Sequence, residues 1–156
     1  MHKYCISGLV LKINAEEWII HSNLKSFICT SDNIEPDVNC SIFFTKPPDI
    51  ANNVKGIIKS AGFMIYKNED YYYIKNNDEK DIPSLFVASN DWSNCDIYID
   101  PTYNKLGDNQ TVNHARDALL AILREVFIAA LSRKYGVLVH SSSIIWNGEG
   151  VLFSAP

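Results

Sequence analysis

His140-Ser141-Ser142-Ser143 is the passage whose residue types alone point to chemistry, because an imidazole beside hydroxyls is the pairing that activates a serine nucleophile. Neighbouring residues on an extended strand point to opposite faces, however, and the chain has no Gly-x-Ser-x-Gly elbow. A Ser-His hydrolase is therefore rejected. His114 falls in the first turn of a helical stretch, with no second histidine or carboxylate at metal-ligand or catalytic spacing, and reads as a partly exposed helix-start residue. Cys5, Cys29, Cys40 and Cys95 form no close pair, and each sits in a strand-like apolar run. They read as reduced core thiols rather than disulfides or metal ligands. Tyr71-Tyr72-Tyr73 and Trp92 offer rings for stacking on a ligand, but aromatic residues are also ordinary strand formers, and core or cross-strand packing is the expected use.

These residues need elements to hold them, and composition bounds what those elements are. A chain of 156 residues, 47% hydrophobic and 12% aromatic, can bury one substantial core. A formal net charge of −4 and a pI near 5.5 argue against a broad footprint for duplex nucleic acid or an anionic membrane. No apolar stretch reaches the roughly 18–20 residues that span a bilayer, so neither nucleic acid nor membrane is an expected partner. Met1 to Cys5 leads into alternating polar residues and Asn14-Ala15-Glu16-Glu17, which lacks the apolar run of a secretory signal; the expected location is the cytoplasm.

From Tyr4 to about Asp100 the signal is short β-branched and aromatic runs separated by polar turns. Strands are expected in Cys5 to Ile13, Glu17 to His21, Phe27 to Cys29, Val38 to Thr45, Ile57-Ile58, Phe63 to Tyr66, Tyr71 to Ile74, Ser84 to Ala88 and Cys95 to Ile99, forming a β-meander. Lys46-Pro47-Pro48 stops the fourth, because proline supplies no ladder donor. Asn68 to Asp100 holds eight acidic residues against Lys75 and Lys80, which reads as a solvated face. The period then changes. Thr111 to Tyr135 contains no Gly or Pro and places Ala115, Leu119, Ile122, Leu123, Val126 and Phe127 at helical spacings, with Asn109 or Thr111 as cap and Gly136 as stop. Two apolar runs follow, joined by the hairpin signal Asn147-Gly148. The expected fold is α+β: a β-rich meander over residues 1–108, then one long helix and two strands over residues 109–156.

The order of long helix, Gly136-Val137-Leu138-Val139-His140-Ser141-Ser142, then Asn147-Gly148-Glu149-Gly150-Val151-Leu152-Phe153-Ser154-Ala155-Pro156 resembles the lead-in to the phosphate loop of HPr kinase/phosphorylase-like proteins. That family includes HPr serine kinases and kinases of peptide-modification clusters such as lasso-peptide kinases, and shares its nucleotide-binding core with phosphoenolpyruvate carboxykinases. The resemblance covers roughly residues 110–156. In such proteins the passage runs into a loop of type Gly/Ala-x-x-Gly-x-Gly-Lys-Ser/Thr, and Ala155 and Pro156 match its first two positions. The glycines, the lysine and the magnesium-binding hydroxyl would follow Pro156 and are not in this chain.

The resemblance implies two final strands leading into a P-loop kinase core, and a chain that is the N-terminal portion of an ATP-dependent protein or peptide serine kinase. It implies ATP and magnesium as cofactors of the complete protein, without tight binding to this portion. Ser154, Ala155 and Pro156 would begin the phosphate loop. His140, on the strand beside the nucleotide-carrying one, is the candidate catalytic residue, placed to hydrogen-bond to the loop or to a substrate group. The implied partner is a protein or peptide substrate. Unpaired final strands add an expectation of self-association into a homo-oligomer. The alternative is a non-catalytic module whose acidic, tyrosine-rich sheet holds a peptide or partner protein by edge pairing and aromatic contacts.

Overall fold

Apolar residues at every second position give each short run one oily face, and a sheet forms when those faces align. The computed structural model describes residues 2–31, 33–50, 54–60, 63–76, 84–104, 109–134, 136, 141–146 and 149–154. β1 (His2–Ile6) and β2 (Leu9–Asn14) make a hairpin through Ser7 and Gly8, whose φ values of 48° and 80° are the left-handed pair a two-residue turn needs to match strand twist. The chain then crosses over through two 3-10 turns, Glu17–Ile19 and Ser22–Phe27, to β3 (Val38–Phe43), which runs parallel to β2 with Leu11 opposite Val38.

β4 (Lys55–Ser60), β5 (Phe63–Lys67), β6 (Tyr71–Asn76), β7 (Ser84–Ser89) and β8 (Asn94–Ile99) follow as antiparallel neighbours. β8 then lies parallel to β3, with Cys40 opposite Cys95. The result is one mixed sheet of eight strands in the order β1-β2-β3-β8-β7-β6-β5-β4. The helix α1 (Asn109–Arg133) follows. It ends where Lys134 and Gly136 N–H both donate to Leu131 O at 3.0 Å. A side chain at position 136 would meet Leu131 Cδ1 at 2.5 Å, so any larger residue there would have to displace the Leu131 side chain. β9 (Ser141–Trp146) and β10 (Glu149–Ser154) form a separate antiparallel pair.

This corrects the expected fold. The chain is mostly β, an eight-stranded mixed sheet with one helix, and no P-loop core is visible among the described residues. Only β4 to β8 is a meander; β3 pairs with β8 across four intervening strands, which periodicity cannot report because it is a property of one strand and not of its partner. The expected strands at Glu17 to His21 and Phe27 to Cys29 are 3-10 turns and a single bridge from Ile28 to Tyr4. Ile19, Ile20 and Leu24 each reach the core from those turns, so a short apolar run buries its side chains without any ladder.

The core follows from strand parity. Tyr4, Leu11, Ile13, Val38, Cys40, Ile74, Phe86, Ala88, Cys95, Ile97 and Ile99 all lie on one face and pack with Ala115, Leu119, Ile122, Leu123, Val126, Phe127 and Ala130 of α1. Two polar ties orient the helix. Arg116 Nε donates to Trp18 O near its start, and Lys134 pairs with Asp37 at its end. Asp37 exchanges two bonds with Val10, accepting from its N–H at 2.8 Å and donating to its O at 2.9 Å.

The reduced-thiol expectation holds for two cysteines and fails for two. Cys5 and Cys29 form a disulfide, because the bridge from Tyr4 to Ile28 sets their Cα atoms 5.2 Å apart. Cys40 and Cys95 are free and buried. Alkylation in denaturant without reductant should label two thiols per chain and, after reduction, four, read by intact mass. Truncating Leu119 to Ala, at 1% exposure, should cost about 2–5 kcal/mol, and Phe127→Ala about 3–5 kcal/mol, whereas Arg124→Ala should stay within about 0.5 kcal/mol in urea titrations.

Candidate functional site

Since α1 covers one face of the sheet, the residues of opposite parity form a second face that carries no helix among the described residues. Of the three consecutive tyrosines, Tyr71 and Tyr73 lie on this open face, with ring centroids 6.4 Å apart. Tyr72 faces the core side instead. It stacks on Trp92 at 5.4 Å, accepts a 3.0 Å hydrogen bond from Lys67 Nζ, and has that ammonium 4.5 Å from its ring centre. Farther along the open face, Phe43 stacks on Tyr98 at 5.3 Å. Asp96 lies on the same face of β8 as Tyr98, opposite Val87 and Ser41. Burial pushes its carboxyl above the usual range, and burial together with the Asp96 charge pushes the Tyr98 phenol up.

A cavity of about 680 Å³ lies where this face meets the Lys46–Ile50 segment. Tyr66, Lys75 and Leu85 line it from the sheet, and Lys46, Asp49 and Asp100 add one further ammonium and two carboxylate groups. Asp100 is held below the usual carboxylate range by the Thr102 hydroxyl and N–H, at 2.6 and 2.8 Å. Such a lining can hold the polar backbone and mixed charges of a peptide-sized ligand. It was missed in the sequence because Lys46-Pro47-Pro48 reads as a strand stop; the same prolines line the cavity.

Chemistry needs groups in contact, and the described residues supply few. Ser84, His114 and Asp117 line a small cleft of about 220 Å³, yet no hydrogen bond links them; Asp117 sits 3.4 Å from His21 instead, and His114 is exposed. The Cys95 thiol is pushed well up by its contact with Cys40 and by burial, so it does not behave as a thiolate nucleophile. Ser154 ends β10, paired with Ser141 across the hairpin, while His140, Ala155 and Pro156 lie outside the described residues, as does the Asn147-Gly148 turn. Magnesium and ATP do not fit what is described. There is no group of three His, Cys, Asp or Glu side chains able to hold a metal ion among the described residues, and the glycine and lysine cradle for phosphates is not in the chain. No helix among the described residues is long and apolar enough to cross a membrane.

No family model, curated protein or solved structure matches the chain.

The β7–β8 turn fixes Trp92 beside Tyr72. Ser89 Oγ, Ser93 N–H and Ser93 Oγ donate to Asp91 Oδ1 at 2.6, 3.0 and 2.8 Å, and Trp92 adopts a φ of 60°. These three donors bring the Asp91 carboxyl down to about 2 from its ordinary 3.8. A carboxyl depressed on folding adds stability that is present above pH ~4 and lost as pH falls toward 2. The turn is exposed, so the effect is at most about 1 kcal/mol. Asp91→Asn should therefore melt below the parent above pH ~4, the gap closing toward pH ~2, as read by circular dichroism.

Proposed function

We propose that this chain is a portion of an HPr-kinase-like, ATP-dependent serine kinase acting on a protein or peptide substrate, with the phosphate loop outside it. The observation that carries this reading is the C-terminal hairpin. Trp146 pairs with Glu149 and Ser154 with Ser141, so β9 and β10 close over a two-residue connection soon after the Gly136 stop of α1. The resembling passage calls for that arrangement: helix, His-x-Ser strand, Asn-Gly turn, apolar strand. Phosphoryl transfer rests on positioning and charge neutralisation, and the groups for it would come from the loop that follows. The sheet and α1 then serve as a scaffold, its open face facing substrate or regulating the catalytic part. Such a kinase works in the cytoplasm, where ATP is abundant.

A second reading has its own support. Tyr66, Tyr71, Tyr73, Phe43 and Tyr98 share one open face beside a mixed-charge cavity, which suits a binding module without catalysis.

The two readings separate on nucleotide. A ligand raises apparent stability in proportion to its binding to the folded state, so this chain should show no melting shift with ATP and magnesium. A chain extended through a Gly-x-Gly-Lys-Ser/Thr loop should gain a shift, and changing the loop lysine to Ala should remove most of it. A shift with the present chain, or none with a folded extended chain, would sink the kinase reading and leave the binding module.

A further inference from the structure

The sheet has two edges, and the chain treats them differently. At β1 the outer side is taken: Cys29 N–H donates to Lys3 O at 2.9 Å, Tyr4 bridges to Ile28, and the disulfide ties the two segments. At β4 no described residue pairs with the outer side. Ile57 and Ile58 there are 51% and 54% exposed, so two large apolar side chains stand half in solvent on the edge strand. The register slips between Gly56 and Ile58, so Ile57 is a bulge residue. Lys55 and Lys59 flank the pair and are also exposed. A groove of about 570 Å³ beside the strand is lined by Lys55, Ile57, Lys67, Asn68, Glu69 and Asp70.

We infer that β4 is a docking edge for an extended peptide carrying β-branched residues flanked by acidic ones, which adds to the sheet as a further strand. The free N–H and C=O groups of an edge supply main-chain bonds, and the two isoleucines supply apolar contact. Lys67 is engaged with Tyr72, which leaves Lys55 and Lys59 as the exposed ammonium groups of the strand; Lys55 pairs with Lys67 and Lys59 with Met64, so across the bulge they flank the edge on opposite faces. Glu69 and Asp70 sit near the Lys55 end, so an acidic residue is drawn most strongly to Lys59. Charge also decides against a second copy. Self-pairing through this segment would gather four lysines in one short ribbon, a concentration of like charge that opposes it. The lysines thus refuse self-pairing and basic peptides while admitting acidic ones. This inference goes beyond the kinase reading and stands or falls separately from it, because its test uses no nucleotide.

The experiment is fluorescence anisotropy of the purified chain with a labelled peptide Ser-Glu-Val-Ile-Val-Glu-Ser. Controls replace both Glu by Lys, or the central Ile by Pro, which cannot complete a ladder. The acidic peptide should bind at least about tenfold more tightly than either control, and more weakly in about 500 mM than in about 50 mM salt. The double variant Lys55→Glu/Lys59→Glu should keep the parental melting curve, lose about tenfold for the acidic peptide and prefer the basic one. Three results would overturn the proposal: no binding at about 1 mM peptide, binding unchanged in the double variant, or a dimer in light scattering that Ile57→Lys abolishes, which would assign the edge to a second copy.

Discussion

Burial of one stripe of α1 against one face of the mixed sheet is the contact on which the rest of the structure depends. Leu119, Ile122, Leu123, Val126 and Phe127 recur at helical spacing, and the strands meet them with every second residue. Because the side-chain period of a strand is two, slipping any central strand by one residue would turn its apolar set to solvent. The helix therefore pins the register of the strands it covers. It also decides by parity which residues face outward: Tyr71 and Tyr73 do, and Tyr72 does not.

Polar ties complete what packing begins. The crossover between β2 and β3 is held at two points, by Arg116 reaching Trp18 and by Asp37 joining Val10 to Lys134. Burial alone would raise the Asp37 carboxyl, but the Lys134 and Val10 donors outweigh it and hold the group below its ordinary value. The same crossover closes the β1 edge, so the sheet ends with one finished side and one unfinished side at β4.

The functional readings follow from this division of labour. One face is committed to the core, and what remains for recognition is the open face, the cavity under Pro47 and Pro48, and the β4 edge. None of the three places a nucleophile against a base among the described residues. The hairpin at the C-terminal end supports the kinase reading by its pairing and by the residues that pass through it.

The sequence by itself determined the local elements: the long helix, most strand positions and the two-residue hairpin near the C-terminus. Each is a matter of period or turn chemistry within a few neighbouring residues, so each is legible in a short window. It also determined the passage around His140, whose resemblance carries the kinase proposal, although His140 itself lies outside the described residues. Only the tertiary structure decided that β3 lies between β2 and β8, that the Trp18-Ile19-Ile20 run is a 3-10 turn, and that Cys5 meets Cys29 while Cys40 meets Cys95. Those facts depend on which distant segments share a core. A run such as Trp18 to Ile20 buries its side chains equally well as strand or turn, so its conformation is set by the helix it packs against and not by its own residues.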